Sequence, residues 1–476
     1  MRAVRNRYAP RGATLLFAFA LLLPCAAPAF AQRAELEEVI HRRVLDNGLE
    51  VIVAQNHGVP LVTVELNVRN GAFTQTPEYA GLAHMYEHMF FRANQAFPNP
   101  DQFVERLSSL GAQYNATTRE ENVNYFMSVS ADSLAAALRL MAAGYRAPLF
   151  RADELEQERE VVLGEYDRNE SNPFFGLMKE MDRRLYPGNF SRKNTIGDRE
   201  VLRQVTPEQM RFIQRTYYVP NNTVLIISGD VQAARAFELA TREFGSIPRS
   251  EDPFRANPVP PIPALQGSTA VISEEDVGAV TVLIQWQGPS VGQDPGATYA
   301  ADVFSDVLND PGSAFQQRLV DSGLWHGVIV NYYTLNNVGP ITISGQTSPG
   351  QLRRGLTALF AEIARFDTAE YWDQEALEAT KAQRAVSSAF DRERASSFAH
   401  TLGFWWSVAS LEYYMGYVDN MAAQTIDDLR SYGRRYIVGK PHVAGVLISS
   451  AARRQLNLTE SELTVLGGPA RAAGGR

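Results

Sequence analysis

The stretch His84-Met85-Tyr86-Glu87-His88 limits what this chain can become more than any other. On a helix, side chains four apart lie one turn from each other on one face, and a side chain three along points the same way. His84 and His88 are then placed to share one metal ion, with Glu87 beside them as a base. The chain has seven histidines in 476 residues, so a pair at ligand spacing is not a by-product of composition. The flanks favour a helix. Thr76 reads as its N-cap and Pro77 as its first residue, where proline forfeits no hydrogen bond. Glu78 to Phe91 contains no further proline, and Gly81 is the weak point. The plain alternative is two partly buried histidines on an amphipathic helix.

Residues 1–31 read as an export signal rather than part of the fold. Arg2, Arg5, Arg7 and Arg11 make a basic start, and Ala13 to Leu23 is an apolar run too short to span a bilayer comfortably. Ala29-Phe30-Ala31 is a small-x-small cleavage site. The expected destination is the periplasm, with secretion as the alternative. Cys25, the one cysteine, lies in this segment, so the remaining chain has no disulfide and its core alone must hold it together. Roughly 445 residues suffice for that as two domains of about 200 each. No second long apolar run follows, so no membrane span is expected after cleavage. The cleaved chain has 41 basic and 53 acidic residues, a formal charge of −12, which argues against nucleic acid as a partner.

A proline-rich stretch divides the chain. Pro248, Pro253, Pro258, Pro260, Pro261 and Pro263 fall within 17 residues, so 251–263 is expected to be an extended linker between domains at 32–250 and 264–460. Residues 461–476 are expected to be a flexible tail. Each side has the mixed pattern of an α+β domain. In the first, 49–55 and 62–69 read as strands, 100–110 as a helix closed by Gly111, 113–118 and 123–129 as a hairpin, 133–145 and 153–169 as helices, and 224–228 as a buried strand. The second repeats the rhythm, with strands at 269–273 and 281–286, helices near 296–310, 350–366, 371–390 and 395–415, and a closing strand at 442–448.

Two histidines do not complete a hydrolytic metal site, which takes three protein ligands and leaves a place for water. The segment Glu154 to Glu165 carries candidates on a helix. Glu158 and Glu165 are seven apart, so they share a face two turns apart, and spacing alone does not choose between them. A solvated acidic helix is the ordinary meaning of so many glutamates.

The order H-x-x-E-H is the inverse of the zincin motif. With Gly81 to Phe91, Gly111-Ala112-Gln113-Tyr114-Asn115-Ala116-Thr117-Thr118, Tyr125, Glu158 to Glu165, Tyr218-Val219-Pro220-Asn221-Asn222 and Ser228-Gly229-Asp230, the chain resembles the pitrilysin/insulinase superfamily, which includes mitochondrial processing peptidase. The resemblance implies two homologous domains, each an antiparallel-rich sheet flanked by helices, forming half of a clam-shell chamber. It implies Glu165, 77 positions after His88, as the distal ligand, and Glu158 as an acidic residue supporting the site. One Zn2+ per chain would be held by His84, His88 and Glu165, with Glu87 taking a proton from water and returning it to the leaving amine. Asn115 and Ala116 would lie beside the cleaved bond on a strand that pairs with the peptide backbone.

One departure from that family carries a consequence. Many members hold substrate with an Arg and a Tyr seven apart in the second domain. Here the matching stretch is Gln317 to His326; His326 stands at the tyrosine position and Arg318 is out of place. The implied function is a zinc metallo-endopeptidase for short or unfolded peptides that needs a homologous, zinc-less partner subunit carrying the Arg/Tyr pair. Two rivals stand beside it. A non-catalytic zinc-binding scaffold subunit is separated from an enzyme by substituting Glu87. A periplasmic binding protein is separated by its lack of stoichiometric zinc.

Overall fold

Apolar runs, continuous in the central strands and alternating toward the edges, build two sheets, each with one face covered by helices of its own half. The computed structural model describes residues 31–465. The first sheet contains β1 (Ile40–Val44), β2 (Glu50–Gln55), β3 (Leu61–Val68), β4 (Gln113–Thr118), β5 (Val123–Ser130) and β6 (Thr223–Gly229), in the order β1-β2-β6-β3-β5-β4. The second contains β7 (Thr269–Glu274), β8 (Val280–Gln287), β9 (Gly327–Tyr332), β10 (Pro340–Thr347) and β11 (Val443–Ile448), in the order β7-β11-β8-β10-β9. Without β1, the orders coincide. The parallel pair is equivalent too: β2 with β6, and β7 with β11, while the other neighbours run antiparallel. The central strands are buried on both faces, which suits the near-continuous apolar runs of β2 and β6.

The halves are interlocked by an exchange of helices. Val51, Val53, Leu225 and Ile227 face the first half's own helices, whereas their sequence neighbours Ile52, Ala54, Val224 and Ile226 belong to the core of the second half. The helix Ala395–Val408 of the second half covers that other face, lying on β3 and β6. In return, Pro173–Leu185 of the first half lies on β7 and β11. Small residues permit the close approach. A Cβ on Gly403 would strike the Asn67 side chain, and one on Gly445 would strike Met181. The seam also buries charge. Glu65 on β3 is fully buried, accepts from Asn67 Nδ2 at 2.8 Å and Asn124 Nδ2 at 3.0 Å, and meets His400 Nδ1 at 2.5 Å.

Several expectations need correction. The motif helix does not start at Pro77. Residues 77–79 form a single 3-10 turn, and the α-helix runs Leu82–Phe90 with Gly81 as its N-cap. Gly81 adopts φ +93°, and its backbone passes so close to Gly197 that a side chain on it would collide there. The weak point in a longer helix is thus the start of the real one. The helix expected over 395–415 breaks at Ala409, and Ser410 caps a second short helix, Leu411–Met415, by accepting from Tyr413 N. Within the expected linker, Asp252 caps one helical turn, Pro253–Ala256. The expected tail begins inside a helix, Glu460–Val465, because Leu463 is buried against the second sheet's core; 466–476 and all but the last residue of the expected signal segment 1–31 lie outside the described residues. β1, β9, β10 and the helices Pro173–Leu185, Pro207–Tyr217, Ala233–Phe244 and Ile426–Tyr436 are not among the elements expected from the sequence.

Because each half is capped by a helix of the other, the two should unfold in one cooperative transition. Gly403→Val should lower stability by about 1–3 kcal/mol, the usual cost of overpacking. Urea unfolding followed by fluorescence checks both; two separate transitions, or no loss in the variant, would contradict the interlock.

Candidate metal centre

Two helices build the site. On Leu82–Phe90, the side chains of Leu82, Met85, Tyr86, Met89 and Phe90 are buried, which turns His84, Glu87 and His88 the other way. The helix start is tied down by Gln75, whose Oε1 accepts from Gly81 N at 2.9 Å while its amide donates to the carbonyls of Ser191 and Asn194. Behind it lies an aromatic wall. Tyr86 stacks on Tyr218 at 3.9 Å, Phe90 stacks on Tyr125 at 3.8 Å, and the two phenols Tyr125 and Tyr218 are 2.6 Å apart. This explains why Tyr125 and Tyr218 belong to the motif set: they seat the histidine helix.

The second helix is Ala152–Glu170, buried at Leu155, Glu158, Val162 and Tyr166 and packed on the first. Its two candidate glutamates take different tasks. Glu165 Oε2 lies 3.6 Å from His84 Nε2 and 3.7 Å from His88 Nε2, and the two Nε2 atoms are 3.3 Å apart. Glu158, almost fully buried, meets His88 Nδ1 at 3.0 Å with one oxygen and pairs with Arg92 through the other. A carboxylate accepts, so His88 donates from Nδ1 and keeps the Nε2 lone pair free.

This triangle tests the fit of a zinc ion. The point equidistant from its three atoms lies about 2.0 Å from each, and zinc takes imidazole nitrogen at ~2.0–2.1 Å and carboxylate oxygen at ~2.0–2.2 Å. Two nitrogens and a carboxylate are donors zinc accepts, and three protein donors leave a fourth position open. Among the described residues, His84, His88 and Glu165 form the one group of three such side chains close enough to hold an ion. Burial, with the neighbouring His88 as a lesser cause, pushes His84 down to about 4, so it is neutral and able to donate a lone pair at neutral pH.

Glu87 sits beside this group. Its Oε2 accepts from the Thr118 hydroxyl at 2.6 Å. Burial raises its pKa, opposed by the Thr118 hydroxyl and His88 and assisted by Glu165. A carboxylate with a raised pKa is a better proton acceptor from water than an ordinary one. Asn115 and Ala116 lie on β4, the edge strand beside the motif helix, with Asn115 exposed and Ala116 buried. Sequence reading missed Gln75, Arg92 and the role of Thr118. Thr118 stood in the motif set, but nothing in its spacing shows that the end of β4 reaches Glu87.

In the second half, Arg318 is not free to reach a substrate. It makes a bidentate pair with Glu362 at 2.7 Å through both nitrogens. His326 is exposed, and its backbone N–H donates to Gln346 O. The helix Pro295–Asn309 follows β8 and precedes the edge strand β9, as the motif helix follows β3 and precedes β4. It carries Asp302 and Asp306 four apart, and Asp306 is paired with Arg384 at 2.5 Å. Here a guanidinium supplies the positive charge.

Residues 50–192 match the profile of the insulinase peptidases, family M16, and residues 204–384 match the family's profile called the peptidase M16 inactive domain. The chain belongs to the M16 peptidase family. Among curated relatives, it is 24% identical over 318 residues to YmxG of Bacillus subtilis, described as an uncharacterized zinc protease, which covers 66% of this chain and 76% of that protein. In several others it spans less than two thirds of their length. The fold matches a protease from Helicobacter pylori with a TM-score of 0.77 at 20% identity, covering 86% of this chain and 99% of that one. It also matches the periplasmic protease PqqL of Escherichia coli with a TM-score of 0.74 at 19% identity, covering 92% of this chain and 51% of PqqL. The chain thus has the mixed α/β architecture of an M16 half structure.

Two outcomes test the centre. Glu165→Ala should lose zinc, whereas Glu158→Ala should keep the three ligands but bind zinc about 10–100-fold more weakly; competition with a chromogenic chelator measures both. In the metal-free protein, the fold depresses His84 from 6.5 to about 4. The unfolded chain therefore binds more protons in that interval, and stability should fall as pH drops from about 6.5 to about 4. His84→Gln should flatten that slope in urea titrations made with chelator present.

Proposed function

We propose that this chain is the zinc-bearing half of a metallo-endopeptidase that cuts short or unfolded peptides. The observation that carries the reading is the Glu87 carboxylate, raised in pKa and set beside three donors spaced for one ion. Zinc, when bound, would supply Lewis acidity to a peptide carbonyl and lower the pKa of water toward neutrality. Glu87 would accept a proton from the attacking water and deliver it to the leaving amine. Glu158 and Arg92 would keep the His88 ring from turning. The free edge of β4 offers backbone groups to an extended peptide, and Asn115 and Ala116 would lie along it. This selects for chains that present an unpaired backbone, which folded proteins rarely do.

The same reading includes a partner. No tyrosine after residue 264 has an arginine seven positions before it, and Arg318 is committed to Glu362. The chain spans about half of PqqL. A homologous, zinc-less subunit would supply the Arg/Tyr pair and close the chamber. Export to the periplasm fits the signal-like residues 1–31 and the periplasmic description of PqqL; no described helix is long and apolar enough to cross a membrane.

Glu87→Gln should retain about one zinc per chain and abolish turnover of unstructured peptides. The chain purified alone should show weak activity that rises when its partner is added. A fully active isolated chain would refute the partner, and hydrolysis by the Glu87→Gln variant near the unsubstituted rate would refute the mechanism. Stoichiometric zinc with no hydrolysis in any assembly would instead favour the scaffold reading.

A further inference from the structure

The edge strand that faces the peptide also holds the base. Thr118 is the last residue of β4 and donates its hydroxyl to Glu87 Oε2 at 2.6 Å. No other side chain of the described residues hydrogen-bonds Glu87. The turn that follows Thr118 is anchored from two directions. From the first half, Ala72 N donates to Arg119 O at 3.2 Å and Phe73 N to Glu120 O at 2.8 Å. From the second half, the buried Glu121 carboxylate accepts from Asn336 N at 2.5 Å, Asn337 N at 2.7 Å and Asn337 Nδ2 at 3.0 Å. Lys193, also buried, donates to the carbonyls of Asn337 and Val338 and fixes the same loop. Thr118 is therefore an immobile donor, one residue from a turn clamped by both halves.

We propose that Thr118 is a positioning residue for Glu87. By occupying Oε2 it fixes the plane of the carboxylate and leaves Oε1 as the oxygen that meets water. A glutamate has three rotatable bonds, and the Thr118 backbone N–H, which also favours the Glu87 carboxylate and survives loss of the hydroxyl, leaves it several orientations when it acts alone. Catalytic groups lose most of their advantage when displaced by about 1 Å. Since Thr118 and the peptide-binding residues share β4, one rigid strand sets both the base and the scissile bond in register. The inference rests on the reading of Glu87 as the base, but its structural half stands without turnover.

The test uses Thr118→Val, which keeps the shape and β-branching of the side chain and removes the donor. With the full chain, its partner and zinc, kcat on an unstructured peptide should fall about 10–100-fold while KM stays within about twofold, and zinc content should not change. Thr118→Ser should restore kcat to within about threefold. Crystal structures should show Glu87 in one orientation in the unsubstituted and Thr118→Ser proteins and in more than one in Thr118→Val. Thr118→Ala serves the same purpose should the valine variant fail to fold. A donor-less variant with unchanged kcat and a single Glu87 orientation would overturn the proposal, as would a serine variant that behaves like the valine. An inactive unsubstituted protein in which the donor-less variant still releases Glu87 would instead refute the peptidase reading and leave the positioning intact.

Discussion

Three lone-pair-bearing atoms held within 3.7 Å of one another, two imidazole nitrogens and a carboxyl oxygen, are best satisfied by a cation between them. Much of the first half serves to keep His84, His88 and Glu165 at that distance. The Tyr86–Tyr218 and Phe90–Tyr125 stacks press one helix against the sheet, Gln75 holds its start, and the Glu158–Arg92 pair pins its end to the second helix. A buried carboxylate such as Glu158 is tolerated because both of its oxygens have charged or hydrogen-bonding neighbours.

The second half repeats the topology without the chemistry. Its equivalent helix offers Asp302 and Asp306, and Arg384 already supplies the cation. What the second half contributes instead is rigidity. Its helix Ala395–Val408 forms the back wall of the first sheet, and its loop at Asn336 and Asn337 clamps the turn beyond β4. Glu87 and the edge strand are therefore placed by contacts from both halves, although His84, His88 and Glu165 all come from one.

What could be read from the sequence was whatever depended on local periodicity. The shared face of His84, Glu87 and His88, the β4–β5 hairpin and the strand–helix rhythm of both halves follow from spacings of two and of three to four. What spacing alone could not give depended on contacts across long separations, and the choice between Glu158 and Glu165 came from the family resemblance. Glu158 and Glu165 are equivalent by spacing, and only the crossing of two helices sends one to Nδ1 and the other to the Nε2 atoms. Thr118 lies 31 residues from Glu87, and the sheet alone brings them together. The start of the motif helix was misplaced because a proline pattern suggested Pro77, whereas the close approach of Gly81 to Gly197 decides it. The exchanged helix Pro173–Leu185 is not legible because its apolar face is matched to strands far downstream, β7 and the still more distant β11.

The central claim is that His84, His88 and Glu165 form a three-ligand site with one open position. Zinc X-ray absorption on the loaded protein tests it most directly. The account predicts two imidazole nitrogens at about 2.0–2.1 Å and two oxygens at about 2.0–2.2 Å, one from Glu165 and one from water, with an oxygen scatterer replaced when a peptide hydroxamate is added. A spectrum with a single imidazole or none, or one in which four protein donors leave no exchangeable position, would contradict it.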